Sequence, residues 1–232
     1  ELEQNGVRAG IGQALKPYQR GIAHTLIYGL VCHRQIVKHY TVRMQVNPIG
    51  YVRSDFEGRF GTPRQPGLVT EARAELLLEP PYNHPDALRG LEQCTHVWLI
   101  FGFHAIEQGD WRPTVRPPRL GGNRRYGVFA TRSPFRPNGL GLSVVRLTGL
   151  LTPMGKGITI AGQDLMDGTP VFDIKPYLPD IECLSNATPP EGFESSHSPL
   201  PLCWSEPAAV ALAGLSGAPA HLKALIEQTI AA

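Results

Sequence analysis

The chain has 232 residues, enough for a sizeable core without covalent staples, and its 42% apolar and 18% charged residues are ordinary for a globular protein. Four scattered cysteines (Cys32, Cys94, Cys183, Cys203) form no CxxC or CxxxC pair, which argues against a zinc site or a disulfide framework and favours reduced thiols in the cytoplasm. The net charge of +2 names no partner, no apolar run approaches the roughly 18–20 residues that cross a bilayer, and HTLIYGLVC at 24–32 is too short and lacks a small-residue cleavage pattern.

Residues 1–43 have no clean periodicity and begin without methionine. They read as an extension, an upstream read-through or a misassigned start, and carry no assigned function. A β-rich domain is expected over 44–180. QVNPIGYVR (45–53) and AELLLE (74–79) read as strands, and HPDALRGLEQ (84–93) as a short helix with Pro85 in its first turn and Asp86 favoured by the N-terminal dipole. THVWLIFGF (95–103) is an apolar, β-branched and aromatic run expected to be a buried strand. YGVFA (126–130), LSVVRLTGLL (142–151) and ITIAGQDL (158–165) follow as strands, and VFDIK (171–175) alternates as a half-buried strand does. The fold class this implies is mainly β: a small closed β-barrel, with few helices.

Beyond residue 180, a Pro/Ser-rich linker leads to two helical patterns, WSEPAAVALAGL (204–215) and APAHLKALIEQTIAA (218–232). Leu222, Leu225, Ile226 and Ile230 make an apolar stripe in the second. That helix runs off the chain uncapped, so 181–232 reads as a linker plus a partial, truncated α-containing subdomain.

Charge is concentrated between Trp111 and Arg146, where eight arginines occur without lysine, aspartate or glutamate, leaving the rest of the chain at −6. Such a stripe is the footprint of a phosphate-bearing or nucleic-acid partner, or else a solvated loop with counterions. There is no G-x-G-x-x-G after a strand, no P-loop and no G-x-S-x-G elbow. Polar residues cluster instead in loops rich in Arg, Pro and Gly. Each has a plain structural explanation: TPRQPG (62–67) as a rigid turn, His104 as a satisfied edge histidine, and Asp167-Gly168 as a hairpin turn between two strands.

Taken together, PRQPG, RGLEQ, FGFH, WRPTVRPPRLGG, FATRSPFRPN and DGTPVFDIKPYLP resemble, in order and spacing from Val46 to Pro179, the TsaA/TrmO-like family of β-barrel tRNA methyltransferases. The resemblance implies a homodimeric barrel that binds S-adenosylmethionine without a Rossmann fold or a metal. It also implies methylation of N6 of threonylcarbamoyladenosine, beside the anticodon of a tRNA. Carried over motif by motif, Pro63, Arg64, Gln65, His104, Ala105, Arg132, Leu142 and the turn Asp167, Gly168, Thr169, Pro170 are the expected cofactor contacts. An arginine can pair the cofactor's carboxylate bidentately, and Leu142 can cover its adenine.

Asp167 and Asp173 are the candidate general bases for the N6 proton. Arg112, Arg116, Arg119, Arg124 and Arg125 are the candidate contacts to phosphates of the anticodon stem-loop. Arg136 is assigned either to RNA or to its own loop's scaffolding.

Two departures from the family stand out. Gly139-Leu140-Gly141 replaces a Pro-Ile-Gly after the Asn of the RPN loop, which is expected to loosen that loop. A D-P-R-P-A-Y-like segment expected after the last helix is not found. The competing readings are a non-enzymatic RNA-binding or regulatory barrel that binds the same cofactor, and a methyltransferase for another small substrate.

Overall fold

Alternation along the strands decides the architecture, because every second side chain must leave water. In the computed structural model, which describes residues 45–107, 111–117, 122–151, 156–191, 193 and 201–231, six antiparallel strands close into a barrel. They are β1 (Gly50–Ser54), β2 (Arg73–Leu78), β3 (His96–Gly102), β6 (Leu140–Leu151), β7 (Gly157–Ala161) and β8 (Pro170–Pro176), arranged β1-β2-β7-β6-β3-β8. Closure runs through Gly50 opposite Val171 and Tyr51 opposite Pro170, so none of the six barrel strands among the described residues is left as an edge. Val52, Leu76, Val97, Leu99, Val145, Ile158, Ile160 and Val171 fill the interior. Burying a side chain such as Leu99 is worth ~1.5–3 kcal/mol.

THVWLIFGF is not buried on both faces. Val97, Leu99 and Phe101 point inward, while Trp98 and Ile100 are half-exposed on the outside. VFDIK also departs from strict alternation: Val171 belongs to the core and Ile174 packs against it, three positions apart. A register shift opposite Ile100/Phe101 supplies the extra residue and turns Asp173 to the outer surface.

Three other expectations are corrected. YGVFA is a strand only at Tyr126–Gly127 (β5), which pairs with Thr114–Val115 (β4) in a ribbon outside the barrel, and Val128–Ala130 turns into a short 3-10 segment. HPDALRGLEQ is not one helix but two 3-10 turns, Pro85–Leu88 and Leu91–Gln93, interrupted by Gly90 at φ 90°. The Asp167-Gly168 turn does not join a hairpin, since β7 and β8 are not neighbours in the barrel. It is instead fastened to β1 and the residues after it: Gly168 N–H donates to Val52 O (2.8 Å) and Asp167 N–H to Phe56 O (2.8 Å).

Gly139, expected to loosen its loop, is a fixed point of it. Its φ is +57°, a value a proline ring cannot reach. Its N–H donates to Arg136 O (3.2 Å) and its carbonyl accepts from Phe103 N–H (2.8 Å).

After β8 come the helices α1 (Pro179–Glu182), α2 (Glu206–Ala213) and α3 (Leu222–Ala231). Ser205 caps α2 by accepting from Ala208 N–H (3.4 Å). Of the apolar stripe read along α3, Leu225 alone is buried, in a small cluster with Val69 and Ala72, while Ile230 is 58% exposed. Gln228 Oε1 accepts from Thr70 Oγ1 (3.2 Å) and Glu71 N–H (3.1 Å), tying α3 to the segment that follows the PRQPG loop. Among the described residues no helix is long and apolar enough to cross a membrane.

Candidate functional site

Proline and glycine keep the loops at one end of the barrel out of regular structure, and those loops converge there. A cavity of about 690 Å³ opens where β3 ends and β6 begins. Pro63, Arg64, Gln65, His104, Ala105, Arg132, Leu142 and Thr169 all line it. These residues are distant in sequence and come from four loops and a strand. The 167–170 turn lies alongside, since a Cβ placed on Gly168 would sit 3.9 Å from His104 Nε2. Asp167, Gly168 and Pro170 do not line the cavity themselves, although Pro170 opens β8 opposite Tyr51.

Neither expected general base faces the cavity. Asp167 is exposed, and its Oδ1 accepts from Ser54 N–H (2.9 Å), so it fastens the turn to the end of β1. Asp173 sits on the outer wall, paired with Lys175 (2.8 Å) and accepting from Ile174 N–H (2.9 Å). The carboxylate that does line the cavity is Asp164, three residues before Asp167. Burial pushes its carboxyl above the ordinary range, against the opposing pull of the Ser143 hydroxyl, its own backbone N–H and Arg132. Its Oδ1 is buried without a hydrogen-bond partner among the described residues. Sequence reading passed over it, though a Gln-Asp pair directly after an apolar run was the available signal.

A second, larger cavity of about 1090 Å³ adjoins the first and shares Arg64, Gln65, Thr131, Arg132 and Pro134 with it. Arg64, Arg112, Arg116, Arg125 and Arg132 line it, with no acidic residue among the described lining. Phe129, Phe135 and Phe193 add aromatic surface. Arg112 lies over the Phe135 ring at 4.4 Å. Arg124 does not line this cavity, and is paired with Glu191 (3.2 Å) and 5.2 Å over the Tyr126 ring. Arg119 lies outside the described residues. Pro189, Pro190 and Phe193, read from sequence as linker, form one edge of this groove, and Phe193 meets Tyr126 edge-on at 6.1 Å.

Arg136 stands apart from the other arginines. Its Nη1 donates to Thr131 O (2.6 Å), with longer contacts to Val128 O (3.3 Å) and Ser133 O (3.5 Å). It therefore braces the ATRSPFRPNG loop from within. Arg132, four residues earlier, reaches outward and donates to Gln65 Oε1 (2.5 Å) in the wall between the two cavities. Arg59, not singled out from the sequence, donates to Ala105 O and holds the loop after β3. Among the described residues no group of three or more His, Cys, Asp or Glu is arranged to hold a metal.

Residues 51–183 match the tRNA-methyltransferase O N-terminal domain family. The chain belongs to that family. Individual relatives agree with the match. A tRNA (adenine(37)-N6)-methyltransferase of Escherichia coli (strain K12) is 55% identical over 145 residues, covering 62% of this chain and 62% of the relative. The chain thus spans a little under two thirds of that relative's length. A probable S-adenosyl-L-methionine-binding protein of Methanothermobacter thermautotrophicus is 36% identical, over 62% of this chain and 96% of that protein. The crystal structure of TrmO from Pseudomonas aeruginosa superposes with a TM-score of 0.61 at 38% identity, covering 82% of this chain and 81% of that one.

Proposed function

We propose that this chain transfers a methyl group from S-adenosylmethionine to N6 of N6-threonylcarbamoyladenosine, the base beside the anticodon of a tRNA. The observation that carries the reading is the pair of adjoining cavities with a common wall at Arg64, Gln65 and Arg132. The smaller one mixes apolar, cationic and anionic lining, as a zwitterionic cofactor with an adenine requires. The larger one offers five arginines and three phenylalanine rings, of which Phe129 is exposed, which suits phosphates and an unstacked base. The names of the relatives support the same chemistry.

S-adenosylmethionine held here would supply a methyl group on a positive sulfur, leaving as neutral S-adenosylhomocysteine while N6 gains the methyl and gives up its proton to water. The residues fit that group. Arg64 and Arg132 would hold a carboxylate, Pro63 and Leu142 would cover an adenine face, and His104, Ala105 and Thr169 would complete the cradle, with Asp167, Gly168 and Pro170 holding Thr169 in place from behind. Arg112, Arg116, Arg124 and Arg125, with Arg119 of the same stripe, hold the phosphates of the anticodon stem-loop. Rate then comes mainly from alignment of donor and acceptor across the shared wall.

Leu140, exposed by 42% beside the smaller cavity, favours a homodimer in which a second copy covers it. A tRNA substrate is consistent with a cytoplasmic protein. Mass spectrometry of tRNA nucleosides from cells with and without the gene tests the reading: the N6-methylated form of threonylcarbamoyladenosine should vanish on deletion, and its persistence would rule the reading out.

A further inference from the structure

The smaller cavity contains four arginines (Arg59, Arg64, Arg132 and Arg136) and, among its described lining, a single acid, Asp164. An aspartate among four guanidinium groups would ordinarily be ion-paired. Here it is not, because most of those arginines are engaged elsewhere. Arg59 donates to Ala105 O, Arg132 to Gln65 Oε1, and Arg136 to the carbonyls of its own loop. The Arg64 guanidinium makes no hydrogen bond or ion pair with any described residue, Asp164 Oδ1 included. The result is a desolvated carboxylate oxygen, Oδ1, with no hydrogen-bond partner among the described residues and a cavity sized for a small ligand beside it. A buried acceptor of this kind is costly unless something that binds there satisfies it.

We propose that Asp164 is the cation-recognition residue of the cofactor cavity, its Oδ1 receiving a positively charged group of bound S-adenosylmethionine while the guanidinium groups of the same cavity take that ligand's carboxylate. The inference rests on the cofactor reading above. Two groups of the ligand carry the required charge, the α-ammonium and the sulfonium, and three ligands separate them. S-adenosylmethionine has both, S-adenosylhomocysteine has the ammonium alone, and 5′-methylthioadenosine has neither while keeping the adenosine.

The test is calorimetric titration of the intact wild-type chain and of Asp164→Asn with each ligand, after thermal melting has confirmed that the variant is folded. Loss of one charge-assisted hydrogen bond should weaken S-adenosylmethionine roughly ten- to hundredfold. If the ammonium is the partner, S-adenosylhomocysteine weakens equally; if the sulfonium is, it does not. In either case 5′-methylthioadenosine binds both proteins alike. Unchanged affinities for all three ligands, or equal losses for all three, would overturn the assignment. Failure of the wild-type chain to bind S-adenosylmethionine would instead overturn the cofactor reading itself.

Discussion

Arg132 Nη1 donates to Gln65 Oε1 at 2.5 Å, while the amide nitrogen of Gln65 donates to Arg64 O at 2.6 Å. The glutamine thus locks two arginine-bearing loops, 67 residues apart in sequence, into one wall with a cavity on each side. Gln65→Ala should release Arg132 without unfolding the barrel. The expected result is a melting temperature close to wild type with S-adenosylmethionine affinity down roughly tenfold, from the loss of one preorganised charged contact. Titration calorimetry reads the affinity, and equal binding by both proteins would show that the wall is not needed for it.

Asp167 is a fastener in this structure, not a base. Asp167→Ala should cost about 1 kcal/mol, because Ser54 N–H loses its acceptor. Asp167→Asn keeps an oxygen at that position and should restore most of the stability. Its kcat should stay close to wild type. A large fall in kcat with unchanged melting in the Asn variant would return Asp167 to the chemistry.

The arginine groove predicts a steep salt response. Each neutralised phosphate contributes about −0.7 to −0.9 to the slope of log K against log salt. Arg125→Ala should therefore weaken tRNA binding and flatten that slope by about 1. Arg124→Ala loses in addition a Glu191 pair whose members are 63% and 80% exposed, an interaction worth little to stability. Filter binding across a salt series measures both variants, and a flat wild-type response would argue against phosphate contact.

Asp164 should be a burden on the unliganded fold. Burial raises its carboxyl from the ordinary 3.8, so the folded state binds its proton more tightly than the unfolded chain does. Its contribution to stability is greatest below 3.8 and is lost as pH rises through the raised value. Asp164→Asn should accordingly melt higher than wild type at neutral pH, with the gap closing on acidification. Thermal melts of the unliganded proteins across that range decide it; a variant less stable than wild type at neutral pH would contradict the account.

The barrel was legible because alternation is a local property: Val97, Leu99 and Phe101 on one face already specify which side of β3 is the core. Where a single residue breaks the pattern, reading failed. Gly90 at positive φ split the expected helix, and the extra residue in β8 reversed the facing of Asp173. The site loops were recognisable as motifs, but the motif does not say which arginine turns inward. Arg132 and Arg136 differ only in what their loop's carbonyls require, and that emerges after the chain has folded. Asp164 was missed because the unpartnered state of its Oδ1 depends on its neighbours being engaged, a relation among residues remote in sequence.

Incubating the purified chain with methyl-labelled S-adenosylmethionine and two otherwise identical tRNAs, one carrying the threonylcarbamoyl group and one lacking it, tests the central claim most directly. The account predicts label on N6 of the modified adenosine in the first tRNA and none in the second. Label in both, or in neither while the cofactor still binds, would contradict it.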